Sequence, residues 1–84
     1  DNTVPDYYYY YGIALFQSKK IKDAEESIKK ALQLDPDNSR YIAELGHIYL
    51  QLGFKIRAKS TFEKALKFNP SNKRAADGLK NIIA

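Results

Sequence analysis

Residues 24–36, AEESIKKALQLDP, return 34 positions later as residues 58–70, AKSTFEKALKFNP. Ala24, Ala31 and Pro36 recur as Ala58, Ala65 and Pro70, and upstream of them Gly12 recurs as Gly46 at the same displacement. A period of this length marks helical hairpins that cannot bury their apolar faces singly and therefore stack. Such stacks hold partners more often than they perform chemistry. The period thus points to a class of function, binding, without naming the ligand.

Working outward, Tyr8, Tyr11 and Leu15, then Ile42, Leu45 and Tyr49, follow the i, i+3, i+7 spacing of one helix face and give the first helix of each hairpin. Ala24, Ile28, Ala31, Leu32 and Ala58, Phe62, Ala65, Leu66 supply the matching stripe for the second helices. Small residues let the two helices of a hairpin approach, while the larger ones fill the space between. Asp35-Pro36 and Asn69-Pro70 stop a helix, because proline lacks an amide donor and disfavours helical geometry just before its ring. Asn38 or Ser39, and Ser71 or Asn72, are placed to cap the helix that follows. Gly53 sits where a helix end calls for left-handed backbone. Lys19 holds that place in the first hairpin, where it should cost about 1 kcal/mol or be avoided by a less regular turn. A last helix from Lys73 is expected to present Ala76, Leu79 and Ile83 inward and Lys73, Arg74, Asp77 and Lys80 outward, as a cap.

In register, Tyr8, Tyr11-Gly12, Leu15, Ala24, Ile28, Ala31 and Pro36, then Ile42, Leu45-Gly46, Tyr49, Ala58, Phe62, Ala65 and Pro70, resemble the tetratricopeptide repeat pattern. The departures are mild: Tyr8 stands for the usual tryptophan, Lys19 for a glycine, and Phe54 and Ile56 flank a preferred aromatic position. The resemblance implies an all-α fold, a right-handed α-α superhelix of two helical hairpins (5–38 and 39–72) plus a C-terminal capping helix (73–84). It also implies one domain over 1–84 that acts as a protein-interaction module and not as an enzyme. Tyr9, Ile13, Phe16 and Gln17, then Ala43, His47, Leu50 and Gln51, would line a concave groove with Asp6 and Arg40 at its edge. Tyr7 and Ala14 would form a stacking face directed at a preceding repeat.

Tyr7 to Tyr11 cannot share one role, since at about 100° per residue five successive side chains cover every face of a helix. Tyr8 and Tyr11 are expected in the core and Tyr9 in the groove. A groove carrying Tyr9, Ile13 and Phe16 is apolar for a solvent-facing surface, so the expected ligand is a short apolar or amphipathic peptide segment. The alternative role is structural stacking, or self-association into a homo-oligomer through the N-terminal face. A chaperone's acidic tail is disfavoured: the places of the family's Lys and Asn clamp hold Tyr9, Ile13, Glu44, His47, Asp77 and Asn81.

Composition narrows the remaining classes. With 84 residues there is room for one domain and only a modest core. No cysteine is present, which excludes disulfides and thiolate metal sites and leaves the compartment open. The most apolar stretch, Tyr7 to Phe16, is too short for a membrane span, which needs about 20 residues. Methionine is absent, so the chain is expected to be part of a larger protein. The net charge of +4 gathers in the last third, a distribution that reads first as a solvated helix surface and only last as weak nucleic-acid binding. His47 follows Glu44 on one helix side, but no nucleophile or third ligand stands beside them. Asp35 to Ser39 opens like a calcium loop, yet Arg40 replaces its glycine and Gly46 its closing glutamate. No metal, cofactor or catalytic residue is expected.

Overall fold

The computed structural model describes residues 3–83, which form five helices: α1 (Thr3–Gln17), α2 (Ile21–Leu34), α3 (Ser39–Gln51), α4 (Lys55–Phe68) and α5 (Lys73–Ile83). Helices α1 and α2 pack as one hairpin, α3 and α4 as the next, and α5 closes against α4 and α3. α1 also touches α3, and α3 touches α5, whereas α2 and α4 do not meet among the described residues. The first helices therefore line an inner side and the second helices splay on the outer side of a body 35 × 27 × 16 Å in extent.

Two apolar clusters hold this arrangement. Tyr9, Ala24, Ile28, Ala31, Tyr41 and Ile48 form the first, and Ile42, Ala43, Tyr49, Ala58, Phe62, Ala65 and Ala75 the second. Leu32 and Leu45 pack on both, so the hairpins share one continuous interior. Close helix approach depends on glycine here: a Cβ on Gly12 would lie 2.7 Å from Ile28 Cδ1, and one on Gly46 2.5 Å from Phe62 Cε1. Phe62 is fully buried between α3 and α5, with Gly78 of α5 against its ring.

Hydrogen bonds fix the joints. Asn38 Oδ1 accepts from the amides of Arg40 and Tyr41 at 3.0 and 3.3 Å, capping α3. Asn72 Oδ1 accepts from Ala75 N at 3.1 Å and caps α5, while its Nδ2 donates to Ser39 Oγ at 2.7 Å. Ser39 in turn donates to the Ala65 carbonyl at 2.8 Å, so one buried chain of bonds joins α3, the end of α4 and the start of α5.

Three expectations are corrected. Tyr11 is 53% exposed and Tyr8 half-buried, whereas Tyr9 is the buried tyrosine of α1. Gly12 must face Ile28 for the helices to meet, and that orientation, with α3 laid alongside, turns Tyr9 inward and Tyr11 away. In α5 Leu79 packs inward on the second cluster as expected, but it is Ala75 that is fully buried there while Ala76 is only half-covered, and the Ile83 side chain lies outside the described residues. The Lys19 turn is no less regular than the Gly53 turn. Lys19 has φ 68° and Gly53 φ 87°, and Lys20 N bonds Leu15 O at 2.9 Å just as Phe54 N bonds Tyr49 O at 2.9 Å.

Candidate functional site

The inner side starts at α1 with Asp6, one turn before Tyr9. Arg40, at the start of α3, donates from Nη2 to Asp6 Oδ1 at 3.2 Å, and the Tyr41 hydroxyl donates to the same oxygen. The Arg40 guanidinium lies 5.2 Å from the centre of the Tyr9 ring, which packs at 5.0 Å on Tyr41. Burial, and secondarily the charge of Glu44, raise the Tyr9 phenol above its ordinary pKa of 10.0. Burial and the Asp6 hydrogen bond push the Tyr41 phenol up further. At this end of the groove Arg40 is partnered by Asp6 and laid over Tyr9 while the pair itself stays exposed.

One repeat later the pattern recurs with different chemistry. Arg74, at the start of α5, donates from Nε to Glu44 Oε1 at 2.9 Å and from Nη2 to Oε2 at 3.1 Å. Glu44 is 3% exposed, so this two-pronged pair satisfies a carboxylate that would otherwise be costly to bury. The Arg74 pKa rises through its bond to Glu44. Sequence spacing paired Glu44 with His47 and pointed Arg74 outward; the structure gives Glu44 to Arg74. The period aligns Arg40 with Arg74 but aligns Glu44 with Tyr10 and not with Asp6, so the repeat alone does not disclose this pair.

His47 is half-buried, its ring edge-on to Phe62 at 4.8 Å and its Nε2 3.2 Å from the Arg74 carbonyl. Burial first, and then the Arg74 charge, lower its pKa below 6.5. A neutral ring with its proton on Nε2 donates to that carbonyl, which is a structural role. Among the described residues no group of three His, Cys, Asp or Glu side chains could hold a metal ion.

The residues expected in the groove thus divide. Tyr9 and Ala43 are buried in the two clusters and do not offer a surface to a ligand, and Arg40 is committed to Asp6. Ile13, Phe16, His47 and Leu50 are half-buried, and Gln17 and Gln51 are exposed. Of the expected stacking face, Tyr7 is 64% exposed and Ala14 is also exposed. Their counterparts one repeat on, Tyr41 and Ile48, are fully buried against the first hairpin.

Comparison with known proteins agrees with this architecture. Residues 5–38 and residues 39–72 each match the tetratricopeptide repeat family. The chain is 33% identical over 76 residues to the CTR9 homolog of Arabidopsis thaliana, covering 88% of this chain and 7% of that protein. It therefore spans a small part of this longer relative. Among solved structures, MamA shares the fold at a TM-score of 0.88 with 24% identity, over 98% of this chain and 48% of that one. The second TPR domain of human RPAP3, solved with the HSP70 peptide SGPTIEEVD, superposes at a TM-score of 0.86 with 28% identity. That match covers 100% of this chain and 68% of the other. No described helix is long and apolar enough to cross a membrane. The chain belongs to the tetratricopeptide repeat family, an all-α superhelix of stacked hairpins of the kind that serves as a protein-interaction module.

Proposed function

We propose that this domain seats a short apolar or amphipathic peptide on the inner face, along Ile13, Phe16, His47 and Leu50, with the amides of Gln17 and Gln51 at its border. One observation carries this reading: both arginines that start an inner helix are already paired, Arg40 with Asp6 and Arg74 with Glu44. What remains for a ligand on α1 and α3 is the partly exposed apolar strip. Amide side chains beside it suit the backbone of a bound segment.

The RPAP3 domain was solved with an acidic HSP70 peptide, and the same ligand is disfavoured here. Of the corresponding clamp places, Tyr9 is buried, Glu44 carries a like charge, and His47 is held below its ordinary pKa. A carboxylate would meet no free arginine at those places.

Selecting random nonapeptides on the immobilised protein tests this. Recovered sequences should carry two or more large apolar residues and lose binding about tenfold on Phe16→Ala or Leu50→Ala, the order expected for truncating an anchor contact. Recovery of acid-tailed peptides, or binding indifferent to both substitutions, would contradict it. The exposed Tyr7 favours a second role, stacking of this outer face within a longer protein.

A further inference from the structure

Helices α1, α3 and α5 run in one direction, because Asp6 near the start of α1 meets Arg40 at the start of α3, and Glu44 of α3 meets Arg74 at the start of α5. The turn after α1 (residues 18–20) and the turn after α3 (residues 52–54) therefore share one end of the molecule, where Ile21 and Leu52 pack on the same cluster. That end is basic. Lys19, Lys20 and Lys22 from the first turn and Lys55, Arg57 and Lys59 from the second are all exposed, and among the described residues none of them is in an ion pair. Asp23 is the one carboxylate in the first turns of α2 and α4, and it faces sideways into the cleft with Tyr11 and Leu15. The opposite end mixes its signs, with Asp35 and Asp37 as well as Lys67 and Lys73. Apolar side chains stand among the cations: Ile56 is 88% exposed and Phe54 46%. The Arg57 guanidinium lies 5.3 Å from the Phe54 ring centre and 5.4 Å from that of Tyr49, which holds the Phe54 ring at the tip. The hollow at this tip is lined from one segment alone, between Gly53 and Ser60, and no lining residue comes from a second element.

We propose that this end of the domain docks on an anionic lipid bilayer surface, with Phe54 and Ile56 entering the headgroup layer and the six cations meeting the lipid anions around them. Shape favours a bilayer over a peptide. A peptide groove covers an apolar side chain from two walls, and the tip has one; a bilayer surface closes over a protruding side chain by itself. Charge complementarity supplies the second reason, since each lysine or arginine near an anionic leaflet gains about fivefold in binding. Long lysine stems let the ammonium groups stay at the level of the lipid anions while Ile56 goes deeper. Neither contact suffices alone, because stable attachment takes an apolar insertion together with a basic patch. No spanning helix is needed. The surface shares no residue with the inner-face strip, and the proposal does not rest on the peptide seat described above.

The chain has no tryptophan, so Ile56→Trp places a single fluorescent reporter at the tip. Vesicles of phosphatidylcholine with about 30% phosphatidylserine should shift its emission to the blue and let brominated acyl chains quench it. Vesicles of phosphatidylcholine alone should do neither. Leu34→Trp, at a 54% exposed site on the opposite end, should respond to neither vesicle. In vesicle co-sedimentation the parent's affinity for the anionic vesicles should fall steeply as salt rises. Lys55→Gln/Lys59→Gln should weaken it about twentyfold, and Ile56→Ser about tenfold. All three side chains are exposed, so both variants should keep the parent's circular dichroism. Equal responses from the two reporters, affinity indifferent to Ile56→Ser, or no co-sedimentation with the anionic vesicles would overturn the proposal. So would salt-sensitive binding of polyglutamate or a single-stranded oligonucleotide with no vesicle-induced blue shift at Ile56→Trp, which would assign the cations to a soluble polyanion.

Discussion

Lys19 and Gly53 hold the same left-handed backbone at equivalent turns, one with a side chain and one without. The difference is a local backbone strain at Lys19 that glycine would relieve. Lys19→Gly should raise stability by about 1 kcal/mol and Gly53→Ala lower it by a similar amount, read from urea denaturation. No atom surrounds the Gly53 Cβ position within 4 Å, so the second cost is purely conformational. The inner-face arginines differ in the opposite sense. Arg40→Ala removes an exposed pair and should cost under about 1 kcal/mol, whereas Arg74→Ala strands the buried Glu44 and should cost about 2–3 kcal/mol. His47 adds a pH dependence. Its folded pKa lies below the unfolded value of 6.5, so the unfolded chain takes up a proton first as pH falls. Its contribution is complete above that value and is lost below it. Melts at about pH 7.5 and about pH 5.5 should differ more for the parent than for His47→Gln.

At the scale of elements, Phe62 is the contact through which α3, α4 and α5 hold one another. Phe62→Ala should cost about 4 kcal/mol, a large share of the stability that roughly 0.05–0.15 kcal/mol per residue gives a domain this small, and should sharply lower the melting temperature read by circular dichroism. Gly46→Ala would press a methyl into the Phe62 ring and should be clearly destabilising although alanine favours helix. The helices themselves were legible in the sequence, because Pro36, Pro70, Asn38 and Asn72 are local signals with local causes. The faces of α1 were not. Five identical tyrosines carry no periodicity, and the choice of Tyr9 over Tyr11 is made by Gly12, Ile28 and Tyr41 together. Arg74 escaped for another reason: it starts on the solvent side of α5, and its long side chain turns back to reach Glu44.

Over the whole molecule, the repeat that sets the fold also sets what is left unpaired. Each first helix is ordinarily covered on one side by the hairpin before it, and α1 is the one described first helix whose equivalent surface, with Tyr7, stays open. The inner side shows the converse, with arginine and acid pairs closing what a charged ligand would need and leaving Ile13, Phe16 and Leu50 partly exposed. Binding on that apolar strip should therefore be insensitive to salt. A selected apolar peptide, labelled and titrated by fluorescence anisotropy at low and high ionic strength, should keep its affinity within about twofold, while SGPTIEEVD should show no saturable binding in either. Saturable binding of the acidic peptide that weakens steeply as salt rises would contradict it.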